Sequence, residues 1–145
     1  MISVDTNLLV YAHRQESEWH EEALRVLKEL AESRAPWAIP WPCVHEFLAI
    51  VTHPRIYLPP SPLKTALEAM EAWMDSPSCR MLGEGPGYFE TLRAITERHR
   101  VHGPRIHDAR IAALCLHHGV TELWTLDRDF SRFSALKARN PLSRA

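Results

Sequence analysis

Short apolar runs, each too brief to make a helix, alternate along this chain with longer segments of helical periodicity. Met1-Ile2-Ser3-Val4, Trp37-Ala38-Ile39, Cys79-Arg80-Met81-Leu82 and Leu123-Trp124-Thr125-Leu126 read as strands. Between them apolar residues recur at helical spacing: Trp19, Ala23, Val26, Leu27 and Leu30; Val44, Phe47, Leu48 and Val51; Ala66, Leu67, Met70, Trp73 and Met74. Phe89, Leu92 and Ile95 mark a fourth helix, and Ile111, Ala112, Cys115 and Leu116 a fifth, spanning about 105 to 118. Apolar strands separated by helices are the pattern of a sheet covered on both faces, so the expected fold is α/β, a sandwich with a short, mainly parallel central sheet.

The punctuation agrees with that reading. Ser17 is placed as an N-cap, Pro42 suits the first turn of a helix running to about Thr52, and Ser61-Pro62 opens the next. Residues 54 to 62 hold four prolines and form a rigid connector. Gly83-Glu84-Gly85-Pro86-Gly87 reads as a turn, since it lacks the Lys-Ser/Thr ending of a phosphate loop. Gly119 stops the last long helix. With 145 residues and no internal repeat, residues 1–145 are expected to form a single domain.

Seventeen basic and 18 acidic residues leave a formal charge of -1, which excludes a generally basic nucleic-acid wrapper but allows a local basic rim around an acidic centre. Cys43, Cys79 and Cys115 lie far apart among apolar neighbours, as buried reduced thiols of a cytoplasmic protein would. No apolar run reaches the length of a membrane span, so no membrane association is expected. His99, His102 and His107 lack the cysteine or glutamate framework of a zinc site, and the adjacent His117 and His118 cannot share a helix face. The five tryptophans are core residues by default, with Trp41, set between two prolines, the candidate for partial exposure. The Leu24 to Leu30 side and the Leu67 to Met74 stripe either bury against the sheet or contribute to a dimer or partner groove.

The chemistry is concentrated in acids. Asp5 and Asp127 each follow an apolar strand, Asp108 falls in the first turn of a helix, and Glu46 lies at the edge of the buried stripe of its own helix, within reach of a cleft. Singly, each has an ordinary explanation as a turn or cap. A parallel sheet that gathers them at one edge creates mutual repulsion, relieved by protonation or by a cation. Oxygen-only ligands suit Mg2+ or Mn2+ rather than zinc, and these ions suit phosphodiester cleavage.

Ser3-Val4-Asp5-Thr6-Asn7, the mid-chain Glu46, His107-Asp108 with the small-residue helix Ala109-Arg110-Ile111-Ala112-Ala113, and Thr125-Leu126-Asp127-Arg128-Asp129-Phe130 stand in this order along nearly the whole chain. In these motifs the sequence resembles the PIN-domain ribonuclease toxins of the VapC type from bacterial toxin-antitoxin systems. The resemblance implies a PIN-like α/β/α sandwich and an endoribonuclease using Mg2+ or Mn2+. It further implies a homodimer, inhibited by a cognate antitoxin whose C-terminal segment occupies the cleft.

Carried over by position, Asp5, Glu46, Asp108 and Asp127 match the acidic quartet. Asp5 and Asp108 are the foremost metal-ligand candidates, joined by Glu46, Asp127 and Asp129, although a carboxylate near the turn can instead cap it. Thr6, Asn7 and Thr125 are expected to support the acids, and Arg14, Arg110, Arg128 and His107 are the candidates for contact with RNA. Two other readings compete: a noncatalytic acidic cleft that captures a basic partner, and an aspartyl-phosphate phosphatase with Asp5 as nucleophile. Asn7 weakens the second, because it stands where a DxD motif needs its second acid.

Overall fold

The computed structural model describes residues 1–142. Five strands, β1 (Ile2–Val4), β2 (Trp37–Pro40), β3 (Cys79–Leu82), β4 (Glu122–Trp124) and β5 (Lys137–Arg139), form one sheet in the order β3-β2-β1-β4-β5. Every pairing is parallel, with Ser3 opposite Ala38 on one side and Leu123 on the other. The flanking helices are α1 (Thr6–His13), α2 (His20–Glu32), α3 (Trp41–Val51), α4 (Leu63–Met74), α5 (Tyr88–Arg98) and α6 (Ile106–His117). Neighbouring helices pack in the chain α2-α1-α3-α4, and α5 packs on α6. This is an α/β/α sandwich.

The strand order carries the functional consequence. From β1 the chain moves outward through β2 and β3, then returns to the other side of β1 for β4 and β5. Because all strands are parallel, their C-terminal ends lie along one edge, and the order reverses at the C-terminal end of β1. Open α/β sheets bind ligands in the crevice outside such a reversal. Asp5, the first residue past β1, emerges there, its backbone N–H donating to the Trp124 carbonyl at 3.0 Å.

The sheet is held by large buried side chains. Trp37, Ile39, Phe47 and Leu123 are inaccessible to solvent, and each such residue contributes roughly 1.5–3 kcal/mol by leaving water. Phe47 links two helices, meeting Trp73 of α4 edge-on at 5.5 Å between centroids. The proline connector is pinned by Arg14, which lies over the Tyr57 ring at 4.4 Å and donates to the Pro59 carbonyl at 2.9 Å. Gly87 opens α5 at a φ of 87°, and Gly119 follows α6 at 73°, both left-handed positions that favour glycine.

Several local expectations are corrected. Thr6 to His13 form a helix outside the five helical stretches read from the sequence, and β5 is an additional strand. Ser17 does not cap α2: the cap position is Trp19, whose N–H donates to the Oγ of Ser17, two residues earlier, at 3.2 Å. Cys43 and Cys115 are buried, but Cys79 is only half-buried because β3 is an edge strand. Leu24 and Leu67 are exposed, so their stripes face the core only in part. Trp41 is exposed and packs beside His45 at 6.3 Å. Among the described residues no helix is long and apolar enough to cross a membrane.

Candidate active site

A cleft of about 240 Å3 opens at the C-terminal edge of β1, and Asp5, Glu46, Asp108 and Asp127 all line it. Four separate stretches of chain supply them: the β1–α1 junction, the middle of α3, the first turn of α6 and the segment after β4. Val10, Ile50, Ile111 and Phe130 give the cleft an apolar wall, and Tyr11 and Tyr57 complete it.

Asp5 is held on both oxygens. Oδ1 accepts the Thr6 backbone N–H at 2.8 Å and Oδ2 accepts the Thr125 hydroxyl at 2.7 Å, while the Cys43 thiol points at Oδ1 from 3.7 Å. The first contact also caps α1, which explains why the chain turns sharply into a helix at this point. Burial pushes the Asp5 carboxyl up to about 6; the hydrogen bonds from Thr125 and Thr6 oppose the shift, and nearby Glu46 and Asp127 add to it. The Cys43 thiol is driven well above its ordinary range by burial, with Asp5 adding to the effect, so it stays protonated.

Thr6 and Thr125 tie the other acids to this centre. Thr6 Oγ1 donates to Glu46 Oε2 at 3.1 Å, joining α1 to α3. Thr125 Oγ1 accepts the Asp127 backbone N–H at 3.0 Å while donating to Asp5, so one hydroxyl fixes two acidic segments. Asn7 Oδ1 accepts the Leu126 N–H at 3.5 Å across the same junction. Asp127 caps the 3-10 turn Arg128–Arg132 by accepting the Asp129 N–H at 2.9 Å. The capping carboxylate of that turn is thus Asp127, and the Asp129 side chain is exposed.

Asp108 is raised above the usual carboxylate range, first by burial and then by Asp127, Asp129 and Glu46, with Arg132 opposing. The acids therefore feel one another across the cleft. Their donor set is entirely oxygen, which fits a hard divalent cation. Among the described residues, however, no three His, Cys, Asp or Glu side chains sit close enough together to hold an ion as they stand. The arrangement is an acidic cleft rather than a closed coordination shell.

The basic candidates are dispersed. Arg14 is engaged by Glu16, Ser61 and Pro59 at the connector. Arg110 forms a two-nitrogen contact with Glu84 Oε1, at 2.8 and 3.0 Å. His107 is exposed in the first turn of α6 without lining the cleft, and Arg128 lines a neighbouring one. Arg132, whose charge acts on Asp108, and Tyr57, reaching the cleft from the connector, were not singled out by any motif. Arg132 lies two residues past the Thr125–Phe130 motif, at the end of the Arg128–Arg132 turn.

The PIN domain family matches residues 2–136 of this chain. Among curated proteins, Ribonuclease VapC48 of Mycobacterium tuberculosis is 30% identical over 96% of this chain and 96% of its own length. Ribonuclease VapC43 of the same species is 32% identical over 98% of this chain and 96% of its own. Among solved structures, VapBC2 from Rickettsia felis, bound to a DNA fragment from its promoter, superposes with a TM-score of 0.65 at 19% identity, covering 96% of this chain and 98% of the other. VapC20 of M. tuberculosis, a sarcin-ricin loop cleaving toxin, also gives 0.65, at 18% identity, covering 90% and 93%.

Proposed function

This chain belongs to the PIN-domain family and is closely related to the VapC toxins of type II toxin-antitoxin systems, and from that premise we propose that it is a divalent-metal-dependent endoribonuclease held in check by a cognate antitoxin. The observation that carries the reading is the convergence of Asp5, Glu46, Asp108 and Asp127 on one cleft at the reversal of strand order. The names of the curated relatives, both ribonucleases, support RNA as the substrate.

Asp5 and Asp108 would hold Mg2+ or Mn2+, with Glu46, Asp127 and Asp129 as further candidates. Such an ion supplies Lewis acidity toward a phosphodiester and makes a water molecule more acidic. Glu46, anchored by Thr6, orients the attacking water. Asp127 closes the acidic side, and Thr125 keeps it in register with Asp5. Thr6 and Asn7 shape the loop around Asp5. The apolar wall of Val10, Ile111 and Phe130 lowers the local dielectric and strengthens these interactions.

The antitoxin would occupy the same cleft, pairing arginines with the carboxylates so that inhibition and catalysis exclude one another. Two copies of the chain form the active assembly in this reading. The phosphatase alternative loses ground, because Asp5 is only 6% exposed and both its oxygens already accept hydrogen bonds.

Time-resolved cleavage of total and transfer RNA with Mg2+ or Mn2+ tests the proposal, with EDTA and an Asp5→Asn plus Asp108→Asn protein purified in parallel. Discrete, metal-dependent products absent from the variant are expected. Equal behaviour of folded wild type and variant across a broad RNA panel would favour a binding cleft without turnover.

A further inference from the structure

A second cleft, of about 420 Å3, adjoins the acidic one and shares Asp127 with it. Its lining includes Thr125, Arg128, Ser131, Arg139 and Asn140. The strand β5 creates it: Thr125 N–H donates to the Arg139 carbonyl at 2.9 Å, which sets the end of β5 beside the end of β4. The two arginines come from different segments, one from the 3-10 turn that Asp127 caps and one from the edge strand.

These arginines differ from four others of the chain. Arg14, Arg25, Arg93 and Arg110 are each engaged by a carboxylate. Among the described residues no carboxylate lies within ion-pairing distance of Arg128 or Arg139. Arg139 instead lies 5.7 Å over the Trp124 ring. A guanidinium over the face of an indole leaves N–H groups for other acceptors.

We infer that this second cleft is the subsite that holds the RNA backbone on one side of the cleaved bond, with Arg128 and Arg139 each pairing with a phosphate. The inference rests on the ribonuclease reading for its choice of ligand. A polyanion drawn to four carboxylates meets repulsion, and the net charge of -1 gives no general attraction to offset it. Attraction must therefore be local. Because a nucleic-acid strand carries a phosphate at every nucleotide, those beside the reacting one must lie along surface contiguous with the acidic cleft. The shared Asp127 supplies that continuity, and the two arginines supply the charge. Guanidinium groups are suited to phosphate because their N–H fork matches its oxygens.

The test is binding of a fluorescein-labelled single-stranded RNA of roughly a dozen nucleotides, followed by anisotropy in EDTA over a range of salt concentrations. Arg128→Gln/Arg139→Gln is compared with wild type and with Arg25→Gln/Arg93→Gln, which removes the same charge from helices that line neither cleft. The groove variant is expected to bind about tenfold more weakly, and its salt slope to fall by about 1.4, since each single-strand phosphate contact contributes about 0.7. The control variant keeps the wild-type slope. Equal weakening in the two variants, absence of wild-type binding at low salt, or loss of antitoxin binding with RNA binding unchanged would overturn the inference. Because binding is read without turnover, this outcome is separate from that of the cleavage assay.

Discussion

Burial works against the charge of Asp5, while Thr6 and Thr125 work for it. The net effect lifts its carboxyl from 3.8 to about 6, so between these values the folded chain holds a proton that the unfolded chain has released. Stability therefore falls as pH rises through about 4 to 6, and above that window the ionised carboxylate costs on the order of 3 kcal/mol. Asp108 shifts in the same direction. In chelator at pH 7.5, Asp5→Asn, a change expected to remove cleavage in Mg2+ or Mn2+, should raise Tm, and the advantage should vanish near pH 4. Thermal melts across that range check this, and an equal or lower Tm at pH 7.5 would contradict the sign. The acids were legible in the sequence because two follow apolar runs and a third opens a helix. Arg132 and Tyr57 were not, since neither belongs to a local pattern and only tertiary folding brings Tyr57 to the cleft and the Arg132 charge within reach of Asp108.

The elements that escaped the sequence reading are those whose signals are weakest on physical grounds. In α1, Leu8, Leu9, Val10 and Ala12 are all buried, so the helix has no polar face to reveal its period. In β5, Lys137 and Arg139 are exposed around a half-buried Ala138, and an edge strand this short has little hydrophobic pattern to show. By contrast α2, with Val26, Leu27 and Leu30 inward and Arg25 and Glu29 outward, could be read directly. The 3-10 turn after β4 is anchored by Phe130, which is buried, lines the acidic cleft and packs 6.2 Å from Phe133. Phe130→Ala should cost roughly 3–5 kcal/mol by leaving a cavity. It should also lower cleavage at temperatures where the fold persists, because Asp127 and Asp129 immediately precede the anchor. Denaturant unfolding alongside initial rates measures both; destabilisation with unchanged rates would separate the turn from catalysis.

At the scale of the whole molecule, strand order decides function, and strand order is what local sequence signals leave open. Apolar runs and helical periods predict a parallel sheet, yet nothing within them says that β4 returns beside β1. That return places Asp127 next to Asp5 and, through β5, an arginine-bearing cleft next to both. The resulting site concentrates like charge at one edge of a nearly neutral chain. Anything that neutralises the acids in the folded state alone must then stabilise the fold by mass action. Mn2+ added at pH 7.5 is expected to raise the wild-type Tm, with about 2.7 kcal/mol gained at roughly a hundred times its Kd. Cation binding requires ionised carboxylates, and burial lifts both Asp5 and Asp108, so the gain should shrink as pH falls below about 6. Asp5→Asn plus Asp108→Asn removes both foremost ligands and should abolish the gain while retaining a cooperative melt. An equal rise in that variant would assign the effect to cation binding elsewhere on the surface.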